Sequence, residues 1–190
     1  MAISGSLRHG SSNGALVEAV ARLTPKAADV VIYDDLAALP PFNPDLDGVG
    51  APEAVIRFRA WLQACDAVLI SSPEYAHGVP GVLKNALDWV VGSGELIRKP
   101  IALINASARA THAWASLRET LTVMSAQVIR DASITVPLGG RALDATGIVQ
   151  DVELSTALRA AINALAVAAR DLRARARLFV AAMPPAAAAR

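Results

Sequence analysis

A chain of 190 residues is long enough for one well-buried domain and short for two. With 18 Lys and Arg against 17 Asp and Glu, its formal charge of +1 gives no field suited to nucleic acid, an anionic membrane or an acidic partner. Its 54% hydrophobic content is spread mainly through Ala, Val, Leu and Ile, a single cysteine excludes an intramolecular disulfide, and no Cys/His cluster has metal-ligand spacing.

No apolar run is read as long enough to cross a bilayer. The N-terminus has neither the basic nor the apolar region of a secretory signal, so a cytoplasmic location is expected.

In chain order, residues 1–4 form a first strand that is either short or begins upstream of Met1. The loop from Gly5 to Asn13 is rich in hydroxyls and opens a helix whose apolar side is Ala15, Leu16, Val17, Val20, Ala21 and Leu23, with Pro25 beyond its end. Free amides and the helix dipole make such a loop an anion site, and Arg8 supplies a matching charge. Two common phosphate motifs are disfavoured: the Walker lysine position holds Ser11, and no GxGxxG is present.

Residues 29–36, rich in β-branched side chains, make the second strand, and residues 39–50 form a proline-rich connection, either a plain surface link or a rim or subunit contact. Pro52 opens a second helix with Ala54, Val55, Phe58, Trp61, Leu62 and Cys65 on one side. Phe58 and Trp61 are read as core or interface packing, and Cys65 as a buried, inert thiol.

Residues 67–70 are a third, buried strand, and residues 71–80 are the loop beyond it. Pro73 and Pro80 stiffen its ends, Gly78 and Gly81 permit close approach or a positive φ, and Tyr75 offers a flat ring. The third helix, about 80–91, buries Val82, Leu83, Ala86, Leu87 and Val90 and leaves Lys84, Asn85 and Asp88 to solvent or a subunit contact.

A fourth strand at 101–104 leads to a loop in which Ser107 is the best candidate contact, while Arg109 and His112 meet either a nicotinamide dinucleotide or solvent. A fourth helix (113–127), a fifth strand (132–138) and a long final helix from Val152 complete one domain over 1–180, with 181–190 expected as a disordered tail. Strands alternating with helices predict a doubly wound parallel sheet.

Two segments carry a family resemblance. PEYAHGVPGVLKNALDW (residues 73–89) resembles the flavin-ring loop of the NADPH-dependent FMN reductase family, approximately PEYNxSxPGxLKNAxDW, and GSLRHGSSN (residues 5–13) resembles its phosphate loop, GSxRxxSxN. The resemblance implies an α/β, flavodoxin-like fold with a five-stranded parallel sheet in the order 2-1-3-4-5 and FMN between strands 1 and 3. It also implies that Ser6, Arg8, Ser11, Ser12 and Asn13 hold the FMN phosphate and that Pro73, Glu74, Tyr75, Ala76 and His77 border the isoalloxazine, with Ser107 reaching it from the fourth strand's loop. Ala76 stands where that family usually has asparagine, and Gly78 where it usually has serine.

The activity implied is that of an NAD(P)H-dependent oxidoreductase that passes electrons through FMN to a small acceptor such as a quinone, azo compound, chromate or free flavin. NADPH or NADH is the donor, and a homodimer or homotetramer is expected. No catalytic side chain is required, because hydride passes directly between rings, although His77 is a candidate for proton transfer. Two other classes compatible with the sequence are a flavodoxin-type electron carrier and a non-catalytic FMN-binding module.

Overall fold

The computed structural model describes residues 1–138 and 140–182. Its parallel sheet has the order β2-β1-β3-β4-β5. The central strands are β1 (Ala2–Ser4), β3 (Val68–Ser71) and β4 (Pro100–Asn105), with β2 (Ile32–Tyr33) at one edge. The other edge is shared by β5 (Gln127–Val128) and β6 (Ile134–Thr135), which pair successive parts of β4. This is the flavodoxin-like arrangement expected from the sequence.

Every residue of β3 and β4 is buried, which is why both read as unbroken apolar runs. Alternate side chains enter the two cores. Val68, Ile70, Ile101 and Leu103 face α2 (Glu53–Ala64), α3 (Gly81–Asp88) and α4 (His112–Val123). Leu69, Ala102 and Ile104 face α1 (Ser12–Leu23), α5 (Ala145–Gln150) and α6 (Val152–Ala182). The first strand is short but fully laddered: Met1 donates its terminal N–H to Ala67 O at 3.0 Å, and Leu69 N donates to Met1 O at 2.9 Å.

Several elements depart from expectation. The single strand expected over 132–138 is replaced by two, because a 3₁₀ turn at Arg130–Ala132 interrupts the ladder. There the hydroxyl of Ser133 accepts from Leu103 N at 3.1 Å in place of a backbone carbonyl. The second strand keeps two residues, since Asp35–Ala38 turn into a 3₁₀ helix. Helix α4 stops at Val123 rather than 127, before Ser125 takes φ 60°. Helix α5 was not foreseen; at six residues it is too short to show a period, though Asp144 caps it by accepting from Gly147 N at 2.8 Å.

The expectation that no segment reaches bilayer-spanning length is also corrected. By length and composition alone, Val152–Arg175 of α6 is sufficient. Its N-terminal half packs Leu154, Leu158, Ala161 and Ile162 into the core. Residues 181 and 182 belong to this helix rather than to a tail; the tail expected over the remaining residues, 183–190, lies outside the described residues.

The proline-rich connection is pinned rather than loose. Asn85 Oδ1 accepts from Phe42 N at 2.7 Å, and both Asn85 Nδ2 and Trp89 Nε1 donate to Pro40 O, at 2.9 and 2.8 Å. Asn85 is therefore an internal anchor, not a solvated side chain; Lys84 and Asp88 form a surface ion pair as an i,i+4 couple. Phe58 is in the core, Trp61 is 44% exposed, and Cys65 is half-buried, donating its thiol to Leu62 O at 3.3 Å.

Candidate functional site

The loops beyond the carboxyl ends of β1, β3, β4 and β6 meet in one crevice of about 810 Å³, within the usual range for a small-ligand site. Arg8, Ser12 and Asn13 line it from the first loop, Ser72, Pro73 and Glu74 from the second, residues 105–110 from the third, and Leu138, Gly140, Arg141 and Ala142 from the fourth. The first two loops are in close contact. A Cβ on Gly5 would lie 2.8 Å from Ser72 Oγ, and Gly5 N donates to Ser71 O at 2.8 Å. This glycine is set by the approach of neighbouring strand ends.

In the first loop, Ser11 is the N-cap of α1, its Oγ accepting from Gly14 N at 2.9 Å. The capped helix leaves the amides of Ser12 and Asn13 without intrahelical acceptors. Asn13 is buried, and its Oδ1 accepts from Ser71 Oγ at 2.9 Å, so its side chain ties α1 to the end of β3. Ser6 Oγ accepts from Arg8 N at 3.3 Å and helps to shape the turn. A second crevice flanks this loop toward β2. Ser6 and Ser11 line it, and Arg8 and Ser12 belong to both.

The second loop begins at Pro73 and folds back on itself. Tyr75 and Gly78 exchange two backbone hydrogen bonds, Tyr75 N to Gly78 O at 3.1 Å and Gly78 N to Tyr75 O at 2.8 Å, closing a two-residue turn over Ala76 and His77. Both turn residues have positive φ, 48° and 62°, the signature of a type I′ turn. The positive φ expected of Gly78 or Gly81 falls instead on the residues before them, because a two-residue hairpin puts its strain at its centre.

Two contacts fasten this turn to the start of α4. Glu74 Oε2 accepts from Ala113 N at 2.8 Å, so its carboxylate caps α4. The rings of His77 and His112 stack with centroids 4.2 Å apart and planes 14° from parallel. Pro73 and Glu74 line the crevice itself, whereas Tyr75, Ala76 and His77 are exposed and not among its lining residues.

The third loop is held from below by Asn105, a buried side chain at the end of β4. Its Oδ1 accepts from Ser107 N at 3.1 Å, and its Nδ2 donates to Ala110 O at 3.1 Å, spanning the loop. Ser107 lies in the crevice and accepts from Arg109 N with its Oγ at 3.3 Å.

Sequence reasoning missed Asn105, Ser72 and Arg141 as parts of this site. The signal for the first two was a polar residue ending a buried apolar run. For Arg141 it was a cation just after the Gly139-Gly140 pair. Arg141 is held by Asp151, whose Oδ2 accepts from its Nη1 at 2.9 Å while Oδ1 accepts from Leu154 N at 3.0 Å. The Leu154 amide first, and then Arg141, hold the Asp151 carboxyl below its ordinary value.

The profile of the NADPH-dependent FMN reductase family matches residues 1–140 of this chain. The chain belongs to that family. An NAD(P)H-dependent FMN reductase of Pseudomonas aeruginosa is 34% identical over 178 residues, covering 91% of this chain and 96% of that protein. The flavoenzyme FerB of Paracoccus denitrificans, an NAD(P)H:(acceptor) oxidoreductase, superposes with a TM-score of 0.72 at 27% identity, over 90% of this chain and 96% of its own. A quinone reductase of Escherichia coli K12 is 33% identical over a shorter span, 54% of this chain and 56% of that enzyme.

An FMN-dependent oxidoreductase of this family passes electrons to small acceptors, and the crevice fits FMN. Unpaired amides at the α1 N-terminus and the Arg8 guanidinium are donors suited to a phosphate. The walls formed by Pro73 and by Ala106, Ala108 and Ala110 are small and largely apolar, as a flat ring requires.

Proposed function

We propose that this member of the FMN reductase family binds FMN in the crevice between the loops of β1, β3 and β4 and uses it to carry electrons from NADPH or NADH to a quinone, azo compound, chromate or free flavin. The observation that carries this reading is the convergence in one crevice of Arg8, Ser12 and the α1 N-terminus with Pro73, Glu74 and Ser107. FMN would supply the hydride chemistry, accepting from nicotinamide and returning two electrons to the acceptor.

In this reading the protein's residues bind, orient and exclude. Arg8, Ser12 and the amides of Ser12 and Asn13 hold the phosphate, with Ser6 and Ser11 shaping the loop around it. Pro73 and the backbone of Glu74 to His77 border the ring, and Ser107 approaches it from the opposite loop. Ala76 and Gly78, replacing the family's usual asparagine and serine, still present backbone amides. His77 is exposed and stacked on His112, and proton exchange between it and an acceptor would run through solvent. We also propose a cytoplasmic, homo-oligomeric protein whose exposed Trp61 belongs to a subunit contact.

FMN addition, desalting and anaerobic NADPH test the reading. Retained yellow colour that bleaches promptly, followed by reoxidation with a quinone in ping-pong kinetics, is expected. Retained colour that neither NADPH nor NADH bleaches would indicate a carrier or binding module, and failure to retain flavin would remove the site assignment.

A further inference from the structure

Three arginines line the crevice, Arg8, Arg109 and Arg141, against the single carboxylate of Glu74. Their circumstances differ. Arg141 is committed to Asp151, and Glu74 to the amide of Ala113. Among the described residues, neither Arg8 nor Arg109 forms an ion pair. Arg8 sits beside the α1 N-terminus, where one phosphate is accounted for.

Arg109 is on the loop of β4, and β3 separates β1 from β4 in the sheet. The two loops therefore spring from strands about 10 Å apart. The loop that carries Arg109 is preorganised: Asn105 clamps both its ends, Ser107 Oγ accepts from Arg109 N, and Thr111 N donates to Arg109 O at 3.0 Å. With its backbone held in this way, Arg109 brings to the crevice a guanidinium beyond the one beside the α1 N-terminus, one cation more than FMN monophosphate uses.

We propose that Arg109 receives a phosphate group of the reduced nicotinamide dinucleotide, and so positions the electron donor. The assignment rests on the FMN reading above. A nicotinamide laid against the ring would bring its own anionic groups to the ring side of the crevice, and a planar guanidinium suits a phosphate's paired oxygens. The group is either the pyrophosphate common to NADH and NADPH or the 2′-phosphate of NADPH alone. Arg109 is exposed and its side chain has no partner among the described residues, so substituting it leaves the packing of the domain intact.

The test uses the FMN-loaded protein and its Arg109→Ala and Arg109→Lys variants. Calorimetric titration with ADP and with 2′,5′-ADP reads binding without turnover. Steady-state KM is then compared for NADH, NADPH and an uncharged N-benzyl dihydronicotinamide.

One charge-assisted contact is worth roughly 10- to 100-fold in affinity. Arg109→Ala should weaken ADP or 2′,5′-ADP binding by about that factor and raise the KM of the dinucleotide relative to the uncharged donor similarly, with Arg109→Lys between. An equal effect on NADH and NADPH would identify the pyrophosphate, and an effect on NADPH alone the 2′-phosphate. Unchanged binding and KM ratios would overturn the assignment, as would loss of FMN itself from Arg109→Ala, which would make Arg109 a flavin ligand. A wild-type protein that retains no FMN would instead remove the reading beneath it, and the assignment with it.

Discussion

Ala76 and His77 occupy backbone conformations that L-residues with a Cβ adopt at a cost of about 1 kcal/mol or more each. Asparagine, which the related pattern usually has at position 76, tolerates that region better. Ala76→Gly and Ala76→Asn should therefore raise stability by roughly 0.5–1 kcal/mol, seen as a Tm higher by a few degrees. The mismatch at 76 was legible from the sequence, but not its meaning, because a turn type depends on which residues face each other across the loop. Glu74 teaches the same lesson: it was expected beside the ring, and it lines the crevice, but its carboxylate is used by α4.

Tyr33 gives a pH dependence. Burial, and then Asp35, push its phenol up to about 12 from an ordinary 10, with Asp34 acting the same way and Arg57 opposing. Since the unfolded chain releases this proton first, stability is unaffected below pH ~10 and falls as pH rises from ~10 to ~12, by roughly 2 kcal/mol. Denaturant midpoints measured across that window should decline in the wild type. In Tyr33→Phe this component of the decline should vanish, while the aromatic ring, tilted 43° to Phe58 with centroids 5.0 Å apart, is kept.

At the scale of elements, the stretch 84–89 of the ring-loop motif proves to be about architecture. Asn85 and Trp89 grip the connection at Pro40 and Phe42, and Arg59 fastens its far end by donating to Asp47 Oδ1 at 2.7 Å and to Trp89 O at 3.1 Å. Arg59 is 13% exposed, and Glu95, 4.0 Å from its Nε, is 2% exposed. Removing the guanidinium leaves Glu95 buried without its counter-charge, so Arg59→Ala should cost about 3 kcal/mol in chemical denaturation. Sequence reading left the connection open between plain link and rim because the partners lie 40 or more residues away, beyond any local period.

Asp151 links two elements in another way, starting α6 and holding Arg141 at the crevice wall. Asp151→Ala should destabilise the start of α6 through the lost cap, seen as a lower denaturant midpoint. Because its carboxyl is held below the ordinary value, what it contributes is present above the usual aspartate pKa and is lost as pH falls through the lower folded one. Acid titration of the wild type against Asp151→Asn reads the difference.

For the whole molecule, the doubly wound parallel sheet was legible because strands alternate with helices and because β3 and β4, buried on both faces, read as continuous apolar runs, whereas the strand order came from the family resemblance. The split of the last strand was not, since residues 132–138 have ordinary strand composition and only the turn at Arg130–Ala132 decides. The helix before Val152 was hidden by its brevity, and the fourth loop's share of the crevice by its distance in sequence from the other three.

The shortness of the outer strands has a further effect. Both margins of the sheet are made of two-residue segments, and a 3₁₀ turn divides one of them, so neither presents a long row of unpaired amides and carbonyls to a neighbouring chain. Native molecules are thus poor templates for edge-to-edge β-pairing even when crowded. The apolar runs most prone to such pairing are locked in the middle, and only unfolding would release them.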